Sequence, residues 1–249
     1  MIKTLLNHRS IRKYLPDSIN EATINNILTA GIRASNTGNM QVYSIIVSSK
    51  NETKQKLWEV HFKQDMILQA PLLITFCADF NRFVKWCKLR KAEPGYDNFL
   101  SFITAATDAL LVAQNVALAA EHCGLGICYL GTTTYNAGKI IEILNIPKGV
   151  VPITSLVIGY PDEKPELTDR LPPEAVIHYE TYHDYSSDDI DKYYFDKENS
   201  SLAKDLLITN KKETLAQIFT DNRYTHKDNV FFSKSFLDVI KEQGFMNNE

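Results

Sequence analysis

The feature that most constrains the fold is a long apolar stretch from Asp97 to Cys123. Its spacing predicts one continuous helix, and Gly124 stands where a helix commonly ends. A helix that is apolar on most sides belongs in the centre of a protein or at a large interface. Polar residues interrupt its most apolar part: Thr107, Asp108, Gln114 and Asn115. No uninterrupted apolar run reaches the roughly 18 residues of a membrane span, so we expect no membrane association.

Shorter elements surround this stretch. Apolar spacing predicts helices at residues 19–34, 51–68 and 137–145 and one beginning near Asn81, and a capping box at Ser18 and Glu21 predicts the start of the first. Continuous β-branched or apolar runs predict strands at residues 42–47, 72–78, 127–130 and 151–159. Strands mixed with longer helices indicate an α+β or an α/β class, and periodicity cannot choose between them.

The last quarter of the chain differs from the rest. A proline-punctuated acidic loop follows the last predicted strand, and residues 186–249 then form a polar extension with weakly amphipathic helices. The apolar clusters of this extension are too small to make a core alone. We therefore expect two regions, residues 1–185 and residues 186–249, with the second packed on the first or on another subunit.

Composition excludes several classes of protein. The net charge of −3 gives no basic excess of the kind that binds nucleic acid. The N-terminal segment is too short and too quickly charged for a secretory signal. The four cysteines form no C-x-x-C pair, which favours reduced, structural thiols in a cytoplasmic protein. No cysteine and histidine set has zinc spacing, so we expect no metal site.

The densest basic cluster lies at residues 8–13. His8, Arg9 and Arg12 surround the hydroxyl of Ser10, and Lys13 follows. Guanidinium groups match phosphate oxygens, and serine adds a neutral donor, so this segment could bind a phosphate monoester. A solvated basic turn is the alternative interpretation.

A run of small polar residues occupies positions 34–41, between a predicted helix and a predicted strand. Ser35, Asn36 and Thr37 offer hydrogen-bond partners without bulk, so that a flat heterocycle could approach the main chain closely. A plain helix-to-strand connection explains the same residues.

Glycines flank the predicted strand at residues 127–130, from Gly124 to Gly131. The pattern lacks the third glycine of the dinucleotide fingerprint and precedes its strand, so a Rossmann interpretation is weak. Gly131 could still let a ring lie against the backbone, and a helix cap followed by a turn is the alternative. Arg170 stands in a proline-stiffened loop, where pairing with a nearby carboxylate is the commoner role of an arginine.

In this order the motifs resemble the nitroreductase superfamily, within it the NADPH-type branch of oxygen-insensitive nitroreductases and flavin reductases. The resemblance covers residues 3–185. The sequence His-Arg-Ser-Ile-Arg at residues 8–12 is similar to the N-terminal signature of that family. Gln64, followed by an apolar strand and by residues 77–82, matches the branch closely. The glycine-flanked strand and the loop around Arg170 recur at the expected distances.

The resemblance implies an α+β fold with a central, mostly antiparallel sheet flanked by helices, working as an intertwined homodimer with FMN at the subunit interface. It implies that the phosphate or the polar edge of the flavin is held by His8, Arg9, Ser10, Arg12 and Arg170. It implies that the ribityl chain and the ring are contacted by Ser35, Asn36, Thr37 and Gln64. It implies that the ring is backed by Tyr129, Leu130, Gly131 and Thr132.

The implied activity is hydride transfer from NADPH or NADH through FMN to nitroaromatic, quinone or similar small aromatic acceptors, in ping-pong order. The flavin carries the redox chemistry in such enzymes, so we name no protein acid, base or nucleophile. Two alternatives that bind flavin stay open: a flavin reductase that releases reduced FMN, and a flavin-binding protein without turnover. A globular interaction domain without flavin is a further one.

The chain departs from the family pattern at two positions. Thr168 stands where the family often has lysine, and Thr132 replaces the second glycine of a Y-x-G-G element. The branch contacts the 2′-phosphate of NADPH through arginines in its C-terminal extension. Arg223 has no secure match among them, so the sequence gives NADPH only a weak preference over NADH.

Overall fold

The computed structural model of this chain describes residues 2–247. Met1, Asn248 and Glu249, which the two predicted regions include, lie outside the described residues. The chain packs as two compact units, one running to Glu166 and resuming at Phe232, the other from Leu167 to Phe231. The functional division at residue 185 stays a prediction, because packing units do not report which residues bind a cofactor.

The first unit is built on a sheet of four strands in the order β1-β2-β4-β3. The strands are β1 Tyr43–Ser48, β2 Leu72–Asp79, β3 Gly126–Leu130 and β4 Val150–Gly159. Each strand pairs antiparallel with its neighbours. The α+β class with an antiparallel sheet is therefore confirmed, and the four predicted strands end within two residues of the observed ones.

The helices follow in chain order. They are α1 Lys3–Leu6, α2 Glu21–Gly31, α3 Asn51–Val60, α4 Met66–Gln69, α5 Asn81–Leu89, α6 Phe99–His122, α7 Ala137–Leu144, α8 Ser187–Asn199, α9 Ser201–Asn210, α10 Leu215–Gln217 and α11 His226–Glu242. Short 3₁₀ segments occupy Thr37–Asn39 and Pro173–Ala175, and a π-helix occupies Ile218–Arg223.

Helix α6 packs on one face of the sheet. Its buried side carries Ala109, Val112 and Val116, which share a core cluster with Phe76 of β2 and Leu156 of β4. Small side chains on this side let the helix approach the strands closely.

The opposite face of the sheet is covered by shorter helices. Leu57 of α3, Ile67 of α4 and Ile140 of α7 cluster with Leu73 of β2 and Val157 of β4. Alternate residues of β2 and β4 thus face the two layers, as strand geometry requires.

Helix α6 has the length and apolar content of a membrane span. Among the described residues it is the one helix that meets this test, with a mean hydropathy of 1.4 and 44% of the tested window buried inside the protein. The buried part forms the core described above, and the fully buried Asp108 lies within it. Helix α6 therefore acts as a core helix, as the sequence indicated.

Two predicted helix boundaries are wrong. Helix α2 begins at Glu21, and its N-cap is Asn20, whose side chain accepts from the backbone of Thr23. Ser18 does not cap it because Ile19 is buried in the core before the helix starts. The helix predicted at residues 51–68 is two helices, since the chain turns through the left-handed conformation between α3 and α4.

The second unit has a core of its own, formed by Ala203, Leu215 and Ile218. Capping boxes begin α8 at Ser186 and α10 at Thr214. Most of its other side chains are exposed, as expected for a polar extension.

Candidate functional site

The cationic segment, residues 8–13, lies in extended form beside β3. Ser10 bridges Ile127 in parallel, and the backbone N–H of Ile11 donates to the Ile127 carbonyl at 2.8 Å. Ile11 and Tyr14 are buried and anchor the segment, while Arg12 between them is exposed. The segment is thus an ordered addition to the sheet edge and not a solvated turn.

The two carboxylates nearest this segment already have partners. Nδ1 of His8 lies 2.7 Å from Oε1 of Glu121, at the end of α6. Oε1 of Glu163 accepts from the backbone N–H groups of Arg12 and Lys13, the second at 3.1 Å. Both carboxylates therefore bind groups other than the guanidinium of Arg9 or Arg12.

Arg9 is held by backbone oxygens. Its Nε donates to the carbonyl of Pro165 at 2.8 Å, and its Nη1 donates to the carbonyl of Asn7 at 2.9 Å. Within residues 2–247, neither Arg9 nor Arg12 forms an ion pair with a carboxylate. Arg9 also lines a cavity of about 380 Å³ with Gly124, Gly126 and both carboxylates. Arg9 and Arg12 therefore present positive charge that no ion pair among the described residues neutralises.

The small polar loop is tied to helix α6. Asp108 Oδ1 accepts from the backbone N–H of Thr37 at 2.9 Å and from its hydroxyl at 3.2 Å. The Asn36 side chain accepts from the backbone of Gln41 at 3.2 Å. Gly38 and Asn39 adopt positive φ values of 56° each, and Ser35 precedes them exposed. The loop is thus a compact structure and not a plain connection.

Three side chains meet where α3 ends, and we call His61, Gln64 and Thr132 the buried trio after the fully buried His61, since Gln64 and Thr132 are half-buried. His61 Nδ1 lies 2.7 Å from the Thr132 hydroxyl. Gln64 Nε2 donates to that hydroxyl at 3.4 Å and to the His61 carbonyl at 3.0 Å. His61 is fully buried, and burial lowers the pKa of its imidazole to about 4. The trio is therefore neutral near pH 7.

The end of β3 connects these parts. Leu130 is buried, Gly131 is exposed, and the Thr133 hydroxyl donates to the Leu130 carbonyl at 2.9 Å to close the turn. Tyr129 donates from its hydroxyl to Gln114 of α6 at 3.4 Å. A Cβ atom added at Gly131 would have no heavy atom within 4 Å beyond the adjacent residues. The backbone of this turn is therefore open to a ligand on that side.

Arg170 belongs to the second unit. Its Nη1 donates to the Thr168 hydroxyl at 2.7 Å and to the Asp169 carbonyl at 2.9 Å. In the part of the chain that the structure describes, Arg170 pairs with no carboxylate. The ion pair that is common for an arginine in such a loop is therefore not formed there. Arg223, in the same unit, places its guanidinium 5.6 Å from the ring centre of Phe219.

Most of the predicted residues are therefore linked through β3 and α6. The cationic segment pairs with β3, Gln64 reaches the turn that follows β3, and Asp108 of α6 holds Thr37 of the small polar loop. Sequence reasoning missed the roles of His61 and Asp108. A lone carboxylate inside an apolar helix was the available signal for Asp108, and no local signal marked His61.

The structure also bears on metal and thiol chemistry. Among the described residues, no group of three or more histidine, cysteine or carboxylate side chains could hold a metal ion. All four cysteines are free thiols. Burial raises the pKa of the Cys128 thiol, with the nearby Glu163 adding to the shift and Arg12 opposing it. This buried thiol is therefore less reactive than an ordinary cysteine.

Comparison with known families decides the assignment. The profile of the nitroreductase family matches residues 5–160, which include the cationic segment, the buried trio and the whole sheet. The chain belongs to the nitroreductase family. This membership confirms the resemblance that the motifs carried.

Three relatives of this nitroreductase-family chain are similar to it over nearly their whole length. A solved structure of a putative oxidoreductase from Bacteroides fragilis is 50% identical, with a TM-score of 0.97 and coverage of 98% of this chain and 100% of the other. The NfrA1 nitroreductase structure from Bacillus subtilis gives 30% identity, a TM-score of 0.88 and 99% coverage of both chains. An FMN reductase [NAD(P)H] of Bacillus subtilis is 32% identical, covering 98% of this chain and 97% of its own.

Proposed function

We propose that this protein is an FMN-dependent oxidoreductase that transfers hydride from NADPH or NADH to nitroaromatic, quinone or similar aromatic acceptors. The observation that carries the proposal is the pair of guanidinium groups, Arg9 and Arg12, without carboxylate partners in the described residues, on a segment fixed to β3. Cations held in this way suit a phosphate monoester. Family membership and the names of the relatives support the same activity.

The residues present fit FMN. Arg9 and Arg12 supply charge for its phosphate, with the hydroxyl of Ser10 and the imidazole of His8 beside them. Asp108 holds Thr37 of the small polar loop through Oδ1, and its Oδ2 is buried without a partner in residues 2–247.

The ring of FMN would lie at the other end of this arrangement. Ser35, Asn36 and Thr37 would contact the ribityl chain and the ring, and Gln64 would reach the ring. Tyr129, Leu130, Gly131 and Thr132 would back it, with the exposed backbone at Gly131 as a hydrogen-bond donor.

FMN, when bound, supplies the hydride chemistry, and the side chains of this protein bind and orient the reactants. His61 does not act as an acid near pH 7, because burial lowers the pKa of its imidazole to about 4. Burial raises the pKa of the Tyr129 phenol far above its usual range, and the charge of Glu121 adds to this shift. Both groups therefore keep one protonation state near pH 7. The electron donor and the electron acceptor would use the site in turn.

The test is a visible spectrum of the purified protein before and after anaerobic addition of NADPH, repeated with NADH. We expect a yellow protein that bleaches with the electron donor and regains colour when a nitrofuran or a quinone is added. A colourless protein that FMN does not stabilise would contradict the proposal. A yellow protein that fails to bleach would indicate flavin binding without turnover.

A flavin reductase is the second candidate, because relatives of this chain carry the names FMN reductase and NADPH-flavin oxidoreductase. In that case free FMN is the acceptor and leaves in reduced form. Turnover with free FMN, compared with turnover on a nitrofuran at the same NADPH concentration, distinguishes the two. Faster turnover of free FMN favours the reductase.

A homodimer is proposed from the outer side of α6. Four large apolar side chains on this side are between 43% and 75% exposed: Leu100, Ile103, Leu110 and Leu111. A contiguous set of exposed apolar side chains marks an interaction surface. A second copy of the chain would cover them. Sedimentation should show a dimer that Leu110→Asp dissociates, whereas Leu89→Asp, at a more exposed leucine on α5, should leave it intact.

A cytoplasmic location is proposed from the thiols. All four cysteines are unpaired, and free thiols persist in reducing compartments. Fractionation of cells that produce the protein tests this location, and recovery of the protein from a secreted fraction would contradict it.

A further inference from the structure

The Thr132 hydroxyl is placed between two side-chain nitrogens. His61 Nδ1 lies 2.7 Å away and Gln64 Nε2 lies 3.4 Å away. The other ring nitrogen, His61 Nε2, is buried without a partner among residues 2–247. Thr132 itself is half-buried and stands beside the exposed Gly131. The direction of these hydrogen bonds decides what Thr132 can offer to a ligand.

The proton of His61 is best placed on Nδ1. A neutral imidazole has one N–H donor and one acceptor nitrogen. If the proton were on Nε2, a buried donor would have no acceptor, which is costly. With the proton on Nδ1, the donor is satisfied by the Thr132 oxygen, and only a lone pair of Nε2 is without a partner. Because burial holds the pKa of His61 at about 4, the ring stays in this neutral form near pH 7.

Thr132 then has one hydrogen bond left to make. A hydroxyl accepts two hydrogen bonds and donates one. The donors on His61 and Gln64 occupy both acceptor positions of the Thr132 oxygen. Its own proton has no acceptor in the described part of the chain, so it is available to a ligand.

The backbone fixes this arrangement. Phe62 and Lys63 both adopt positive φ values of 55°, which non-glycine residues seldom do. The turn is closed by the N–H of Lys63, which donates to the Trp58 carbonyl at 3.0 Å. It returns the chain so that the Gln64 amide reaches both the His61 carbonyl and Thr132. Backbone strain of this kind often accompanies a functional site.

We propose that the Thr132 hydroxyl donates a hydrogen bond to the ring of bound FMN, and that His61 is the positioning residue that fixes its direction. This inference rests on the proposed function. Thr132 is thus a ligand contact made by its side chain, in addition to any contact made by the backbone of the turn.

The test compares four variants by FMN titration of the apoprotein and by the visible spectrum of the bound flavin. Thr132→Val keeps the side-chain shape but removes the hydroxyl, so we expect about three- to tenfold weaker FMN binding and a shifted absorption maximum. Thr132→Ser keeps the hydroxyl and should restore both properties. His61→Leu should behave like Thr132→Val, and His61→Asn, whose amide can replace Nδ1–H, should stay close to the unaltered protein.

The matched control is Thr133→Val. The Thr133 hydroxyl is already committed to the Leu130 carbonyl, so its loss should lower the melting temperature and leave the flavin spectrum unchanged. An equal spectral shift in Thr133→Val would overturn the inference, because it would show that a loosened turn suffices. If His61→Leu does not fold, the comparison of Thr132→Val with Thr132→Ser still decides.

Two failures can be told apart. If Thr132→Val has the FMN affinity and the spectrum of the unaltered protein, the inference is wrong while the proposed function stands. If the unaltered protein binds no FMN, the proposed function is wrong, and this inference is wrong with it.

Discussion

The cationic segment and the buried trio prepare for a ligand in opposite ways. Arg12 is exposed and Arg9 is half-buried, and both carry full positive charge without a carboxylate partner in the described residues. His61 is fully buried and neutral, and the trio offers single hydrogen bonds of fixed direction. Both regions adjoin β3, since the segment pairs with that strand and Thr132 follows its end.

The difference follows from the cost of moving a charge out of water. An exposed guanidinium stays hydrated, so it can be charged before the ligand arrives. A charged imidazole at the position of His61 would lose its hydration without a carboxylate to replace it, and its pKa falls for that reason. We infer that the protein uses charge where the ligand is anionic and neutral hydrogen bonds where the ligand is a flat ring.

The largest expected effect tests the charged side of this comparison. Arg9→Ala or Arg12→Ala should each weaken FMN binding by about one to two decades, because each removes a charge-assisted hydrogen bond. The double variant should lose about two to four decades if the two effects add. FMN titration of the apoprotein measures this, with Arg90→Ala as a control distant from the segment in sequence. Full FMN affinity in either single variant would contradict the assignment of Arg9 and Arg12 to the FMN phosphate.

The next effect tests the neutral side. An unfolded chain protonates His61 below its ordinary pKa of 6.5, whereas the folded chain resists protonation down to about 4. The free energy of unfolding should therefore fall as pH falls from 6.5 to 4, by roughly 3 kcal/mol for this group at the lower limit.

Urea unfolding at several pH values measures this loss. His61→Asn does not titrate, so its stability should decline less steeply in that range. His226→Asn, which alters an exposed histidine, should follow the unaltered protein. Parallel curves for His61→Asn and the unaltered protein would mean that His61 is not buried in its neutral form.

A smaller effect separates the two regions directly. Raising the ionic strength from about 0.02 M to about 0.3 M should weaken FMN binding roughly three- to tenfold, because salt screens exposed charges. Thr132→Val should keep this salt dependence, whereas Arg12→Ala should reduce it. Riboflavin, which lacks the phosphate, is the matched ligand control and should show almost no salt dependence. An equal salt dependence for FMN and riboflavin would contradict the assignment of the cationic segment.

The smallest effect refines the charge of the segment. Glu163→Gln removes a negative charge but keeps an oxygen that can accept from the backbone of Arg12 and Lys13. FMN should then bind about two- to threefold more tightly, since a partly exposed charge contributes little. Glu142→Gln, on α7, is the control. Weaker FMN binding in Glu163→Gln would contradict this prediction, because it would show that the charged carboxylate orders the segment more than it repels the phosphate.

Local patterns predicted the elements well where one residue's neighbours in sequence decide its conformation. The four strands and helix α6 follow from continuous apolar runs and from Gly124, whose φ of 78° ends the helix region. The break after α3 could not be predicted, because Phe62 and Lys63 adopt left-handed conformations that neither residue type favours. The start of α2 was missed because burial of Ile19 outweighed the capping pattern.

The candidate site likewise has one part that local sequence predicts and one part that it does not. The cationic segment is six residues long and could be recognised as a motif. The buried trio joins residues that are 71 positions apart, and Asp108 holds Thr37 over the same separation. Such contacts depend on how α3, β3 and α6 pack, which no local pattern states.

By itself, the sequence determined the strands, the long central helix and the cationic motif, because hydrophobic periodicity and residue chemistry act over a few neighbouring positions. Only the tertiary structure decided that Glu121 and Glu163 bind other groups, so that Arg9 and Arg12 have no carboxylate partner within residues 2–247. It also decided that His61, Gln64 and Thr132 meet. Hydrogen bonds and burial are properties of groups brought together in space, and a residue acquires them only when the chain has packed.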